Sequence, residues 1–186
     1  MKKAVVLLMV FLSSFMLAAC GKKEDSTSGG NDGNADAAFG EASMEELKTA
    51  VVDVLGENYW PNMAVEEEMF AQMYGVTSDM YEEYFAESPM ISANVDTLII
   101  VKAKEGKVSE VEDALNAYRD NLVNDTMQYP MNISKIQSSR IETFGNYVCF
   151  VQLGADVTEY DEEAAILHCQ EENEKAIDAI RTTLSK

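Results

Sequence analysis

From Ser43 onward the apolar positions recur at helical spacing. Leu47, Val51, Val54 and Leu55 form one stripe that stops at Gly56, and Ser43 with Glu46 makes a capping box ahead of it. This predicts a first helix. Beyond Pro61, Val65, Met69 and Met73 repeat every four residues and stop before Gly75, which predicts a short second helix. Thr77 stands where it would cap a third, carrying Met80, Tyr81, Tyr84 and Phe85 and ending before Pro89.

The period then changes. Val95, Thr97, Ile99, Val101 and Ala103 alternate along one face of an expected strand, with Asp96, Leu98, Ile100 and Lys102 on the other. Gly106 ends it, and Ser109 with Glu112 reads as a second capping box for a helix burying Val111, Leu115, Tyr118 and Leu122. Gly145 and Asn146 form a turn pair between strands expected at Ile136–Phe144 and Tyr147–Leu153. A long last helix from Asp161 to Leu184 puts Ile166, Cys169, Ile177, Ile180 and Leu184 on one face and leaves Glu171, Glu172 and Glu174 in water. The pattern is an α+β fold in two layers: N-terminal helices, then strand-helix-strand-strand-helix, with helices covering one face of a small antiparallel or mixed sheet. Residues 43–186 make a single globular domain.

The residues before Ser43 have a different character. Met1, Lys2 and Lys3 precede an apolar run from Ala4 to Leu17 that is shorter than the roughly 20 residues needed to span a bilayer. Leu17, Ala18, Ala19, Cys20 and Gly21 follow as a bacterial lipobox, so residues 1–19 read as a lipoprotein signal peptide and Cys20 as the lipidated first residue of the mature chain. Acyl chains on Cys20, palmitate among them, would hold the protein on the outer face of the cell membrane. Residues 20–42 are dominated by Gly, Ser, Asn, Asp and Ala without apolar period, the composition of a disordered tether.

Charge narrows the partners. Lys and Arg total 14 against 33 Asp and Glu, a formal net charge of −19, which argues against a nucleic-acid surface. Loss of Lys2 and Lys3 with the leader makes the exported part more acidic still, so attachment to an anionic leaflet has to run through lipid.

Candidate chemistry is sparse. No phosphate-loop, zinc-cluster or nucleophile-elbow signature occurs, so no catalytic residue, metal or cofactor is assigned. Cys149 and Cys169 are the two cysteines left after Cys20. They are expected in the same helix-sheet layer, either as a disulfide or as two separate buried thiols. His168 beside Cys169 points about 100° away from it on a helix and reads as a surface histidine. Asp96 is the one carboxylate at the start of an apolar strand, expected to serve as a cap or to hydrogen-bond a nearby backbone amide. The carboxylate runs at Glu66–Glu68, Glu82 and Glu83, Asp161–Glu163 and Glu171–Glu174 read as solvated helix faces. Aromatics and methionines crowd Tyr59 to Met90, and Tyr59, Trp60, Tyr81 and Tyr84 are the candidates for a binding surface, with core packing as the competing reading.

Tyr59-Trp60-Pro61-Asn62, Pro89-Met90-Ile91, Val101 to Gly106, Gln128-Tyr129-Pro130 and Gly145 to Val148 together resemble an uncharacterised domain family of clostridial-type Gram-positive lipoproteins, over roughly residues 43–185. The resemblance implies an extracytoplasmic, lipid-anchored protein and brings no activity with it. The expectation is a non-catalytic module of the cell envelope that binds a protein partner or a ligand. The alternatives are an envelope hydrolase or thiol enzyme using Asp96, Cys149 or His168, and a small-molecule or metal receptor.

Overall fold

The computed structural model describes residues 39–91 and 93–186. The leader, Cys20 and the tether up to residue 38 lie outside them. Five helices surround a five-stranded sheet: α1 (Met44–Leu55), β1 (Met63–Ala64), α2 (Glu67–Tyr74), β2 (Tyr81–Ser88), β3 (Thr97–Ala103), α3 (Val108–Asn124), α4 (Pro130–Ser138), β4 (Arg140–Phe144), β5 (Tyr147–Gln152) and α5 (Glu162–Leu184). Strand order is β1-β2-β3-β5-β4, and every pairing is antiparallel.

The α+β class with N-terminal helices holds, but the sheet carries helices on both faces rather than one. Leu98, Ile100, Cys149, Val151 and Leu153 pack with Leu47 and Val51 of α1 and with Ile177, Ile180 and Leu184 of α5. On the other face Ile99, Val101, Val148 and Phe150 meet Phe70 and Tyr74 of α2 and Val111 and Leu115 of α3. The central strands β3 and β5 are therefore buried on both sides, which is why they read as nearly continuous apolar runs. Each fully buried Leu, Ile or Val contributes about 1.5–3 kcal/mol relative to exposure.

Local signals explain most boundaries. Ser43 and Glu46 form the expected capping box, and Asp161 Oδ1 accepts from Ala164 N at 2.9 Å to cap α5. Gly145, at φ +61°, turns β4 into β5 as expected. The second capping box does not form: α3 begins at Val108 behind Lys107, so Ser109 lies inside the first turn. Residues 39–42, assigned above to the tether, dock on the domain. Phe39 packs edge-on to Phe144 with ring centroids 5.3 Å apart, Gly40 N donates to Leu184 O at 2.6 Å, and the Tyr147 hydroxyl bonds the Ala42 carbonyl at 3.0 Å.

Four expectations are corrected. The third helix is strand β2. Its pairing with β3 shifts register between Tyr81 and Glu83, and this bulge puts Tyr81 and Tyr84 on one face, three residues apart, as a helix would. In α2 the buried pair is Phe70 and Tyr74, while Met69 and Met73 point outward. The strand expected from Ile136 begins only at Arg140, because residues 130–138 form α4, with Pro130 in its first turn. Glu172 is buried, not wet.

Gly154, after β5, lies close against α5 and α4. A methyl group there would lie 2.5 Å from Cys169 Sγ and 3.3 Å from Lys135 Cγ. Gly154→Ala is expected to destabilise the protein by about 1–3 kcal/mol in urea denaturation, with part recovered when Cys169→Ala removes the sulfur.

Candidate functional site

The site grows from the segment that leaves α1. Gly56, at φ +55°, stops the helix and a single 3-10 turn follows. Pro61 is buried, and Asn62 N donates to Ser88 O at 3.2 Å beside the short strand β1. Three successive side chains of this segment then reach three buried ionic groups. Asn58 Nδ2 donates to Glu172 Oε2 at 3.3 Å, the Tyr59 hydroxyl donates to Glu87 Oε2 at 2.7 Å, and the Trp60 ring lies over Lys135 Nζ, 5.1 Å from its centroid.

Each ionic group has its own partner. Lys175 Nζ meets Glu172 Oε1 at 2.6 Å and Lys48 Nζ meets Glu87 Oε1 at 2.6 Å. Burial raises the Tyr59 hydroxyl well above its ordinary value, and its bond to the Glu87 carboxylate adds to this.

The deepest pair is Asp96 and Lys135. Lys135 Nζ lies 3.1 Å from Asp96 Oδ2, with the two side chains 3% and 0% exposed. Asn94 joins them: its Oδ1 accepts from Lys135 Nζ at 3.0 Å and from Asp96 N at 3.1 Å, and its Nδ2 donates to Asp96 Oδ2 at 3.2 Å. Burial pushes the Asp96 carboxyl above the usual carboxylate range, while Lys135 and Asn94 pull it back. Ala155 sits close by with φ +48°, an uncommon conformation for a residue with a side chain. Its N–H lies toward the Asp96 carboxyl without closing a full hydrogen bond, and Asp96 Oδ1 has no partner.

Two further buried amides belong to the same end of the sheet. Gln152, which pairs with Thr97 across β3 and β5, donates to Val95 O at 2.6 Å and leaves Oε1 unpaired. Asn132 lies one turn before Lys135 on α4, with both ends of its amide unpaired. Asn173 of α5 closes this end of the core, accepting from Leu153 N and donating to Ser138 O, both at 2.8 Å.

Above this polar floor the surface is apolar. A cavity of about 390 Å³ is lined by Tyr59, Trp60, Pro89, Met90, Ile91 and Met131, with Asn62 and Asn94 at its edge. Met131 also lines a second depression, of about 540 Å³, with Tyr129, Ile133, Val157 and Tyr160. Met131, in the first turn of α4, is common to the two, and their linings together make up the groove. Met90 and Ile91 are each 71% exposed, unusual for large apolar side chains.

The sequence candidates divide accordingly. Trp60 and one edge of Tyr59 line the groove, whereas Tyr81 and Tyr84 pack with Phe70 in the core on the α2 and α3 side, Tyr84 stacked on Phe70 at 4.2 Å. Asp96 is held by a lysine and an amide side chain rather than a backbone amide alone. Cys149 and Cys169 are free buried thiols in different clusters, and burial raises both, Cys169 to about 11. His168 stacks on Tyr160 with ring centroids 4.9 Å apart. Among the described residues no group of three His, Cys, Asp or Glu is placed to hold a metal ion. Lys135, Asn132, Gln152 and Asn173 were not singled out from the sequence.

Residues 55–153, more than half of the chain, match the family described as Domain of unknown function (DUF4358). The chain belongs to this family. Neither the curated proteins nor the solved structures contain a match to it. The DUF4358 match is shorter than the stretch over which the sequence resemblance was drawn. It takes in Trp60, Asp96, Lys135 and Gln152 and leaves out all of α1 but Leu55 and all of α5, so the buried ion pair and the part of the groove from Trp60 to Met131 lie in the DUF4358 segment, while Val157, Tyr160 and Glu162 lie beyond it.

Four outcomes are expected here. Lys135→Met leaves a buried carboxylate unpaired and should cost about 3–5 kcal/mol in urea denaturation. Asp96→Asn with Lys135→Met together should cost less than the sum of the single changes. Because Asp96 is raised, its contribution is full below the ordinary value of 3.8 and is lost as pH rises through the raised value, so wild type should weaken relative to Asp96→Asn over that window. Native alkylation by iodoacetamide near pH 8 should spare Cys149 and Cys169, and denaturant should release both.

Proposed function

We propose that this chain is a lipid-anchored, extracytoplasmic module of the cell envelope whose groove at Trp60, Ile91 and Met131 binds a protein partner, in the manner expected of a clostridial-type lipoprotein. The observation that carries the reading is the position of the groove. The chain enters the domain at Phe39, beside Phe144 and Gly145, at the end of the sheet where β3 finishes. The groove lies at the other end, where β3 starts, a strand of seven residues and roughly 20 Å away. A tether from a lipidated Cys20 would therefore join the domain at the end opposite the groove, which leaves the groove free to meet a partner.

The groups that an enzyme would use are committed elsewhere. Asp96 is bound to Lys135 and Asn94, and the Cys149 thiol is enclosed between the sheet and the α1 and α5 helices. These placements support binding over catalysis.

Palmitate labelling of cells should mark wild type and not Cys20→Ser; label retained without Cys20 would end the anchoring part of the reading. A photo-crosslinking residue at Ile91 or Met131 should give a discrete adduct in whole cells, and one at Met73, exposed on α2, should not. Equal adducts from all three sites, or none, would remove the groove as the binding surface.

A further inference from the structure

We infer that the partner seated in this groove is a cationic amphipathic segment of a protein: an apolar stripe flanked by Lys or Arg. The inference rests on the binding role proposed above and adds the chemistry of the partner.

The groove is lined mainly by apolar side chains and is acidic at its Tyr160 end. Its apolar surface comes from Trp60, Met90, Ile91, Met131, Tyr129 and Tyr160, and methionine in particular adapts its shape to what it meets. Beside Val157 and Tyr160, the exposed charged residues are Asp156, Glu159, Asp161, Glu162 and Glu163, and Glu162 itself lines the groove together with Thr158.

Positive charge is missing from every segment that builds the groove. No Lys or Arg occurs from Thr49 to Val101, from Asp120 to Ser134, or from Ile141 to Glu174. The one cation beneath the groove is Lys135, which is 3% exposed and already paired with Asp96. Asp161 caps α5 and Asp156 accepts from Thr158, but Glu159, Glu162 and Glu163 have no Lys or Arg in their own segment, and a neutral or acidic partner would leave them so or repel them. Basic residues on the flanks of an apolar stripe satisfy both parts of the surface. An anionic bilayer satisfies only the apolar part, and the groove faces away from the end at which the chain enters.

Trp60 is the only tryptophan of the chain and lies in the groove, so its emission reports occupancy directly. The full chain reconstituted in phosphatidylcholine vesicles is titrated with a Leu/Lys amphipathic peptide of about 14 residues that lacks tryptophan, with empty vesicles as the blank. A saturable blue shift of Trp60 is expected. Affinity should fall about tenfold or more for Ile91→Asp and for Met131→Asp, and should fall again as salt rises from about 50 to about 500 mM. Both positions are solvent-exposed, so their variants should keep the urea midpoint of wild type.

Binding that ignores both substitutions would reduce the effect to bulk attraction by a chain of charge −19 and overturn the proposal. Preference for a Leu/Glu or Leu/Ser peptide would overturn the charge argument. Quenching of Trp60 by brominated lipid before any peptide is added would make the bilayer the occupant and overturn it as well. Discrete crosslinks at Ile91 and Met131 in cells, with no response to the Leu/Lys peptide, would leave the binding role standing and remove only the cationic partner.

Discussion

Burying Asp96 and Lys135 together at the end of the central strands constrains the structure around them. Neither group can be taken out of water alone without a cost of several kcal/mol, so the chain has to deliver an aspartate that precedes β3 and a lysine from α4 to the same point. Asn94 fills the remaining hydrogen-bond directions of the pair, and Trp60 covers the ammonium with its ring. Gly154 has no side chain because the Lys135 stem and Cys169 occupy the space where one would go. The fit of loop, strand end and helix here follows from solvating one ion pair with protein groups.

The same logic extends along the segment from Asn58 to Trp60. It is an irregular connection, and it is fixed at three places by its contacts with buried charged groups. Tyr59 gives Glu87 a second partner beside Lys48, and Asn58 does the same for Glu172 beside Lys175. A connection secured by polar contacts below can present an apolar surface above. That is how a groove lined by Trp60, Met90 and Met131 stays open instead of collapsing into the core.

The sheet and the helices that bury aliphatic stripes were legible because period and caps agreed: α1, β3, α3, the β4–β5 turn and α5 all fall near where alternation or helical spacing puts them. β2 was misread because its bulge resets the alternation, so Tyr81 and Tyr84 share a face at a spacing that belongs to a helix. α4 was missed for a different reason. Its buried side is Asn132, Ser134, Lys135, Ile136 and Ser138, and a helix that turns polar groups inward carries no hydrophobic stripe to detect. The candidate site shared that fate. Asp96 stood out as a carboxylate in an apolar strand, but its lysine lies 39 residues away in the helix that left no stripe.

The position of α5 has a consequence for how the chain reaches its final state. One face of the central strands is covered by α1 and α5, which lie on either side of the family segment, so residues 55–153 cannot finish that face by themselves. During synthesis the chain emerges from its N-terminus, and Leu98, Ile100 and Val151 are out well before Ile177 and Ile180 can cover them. Until α5 arrives, a broad strip of sheet remains uncovered. Completion of the fold is thus timed by delivery of the last helix, and the emerging intermediate is the form of this protein most in need of a chaperone.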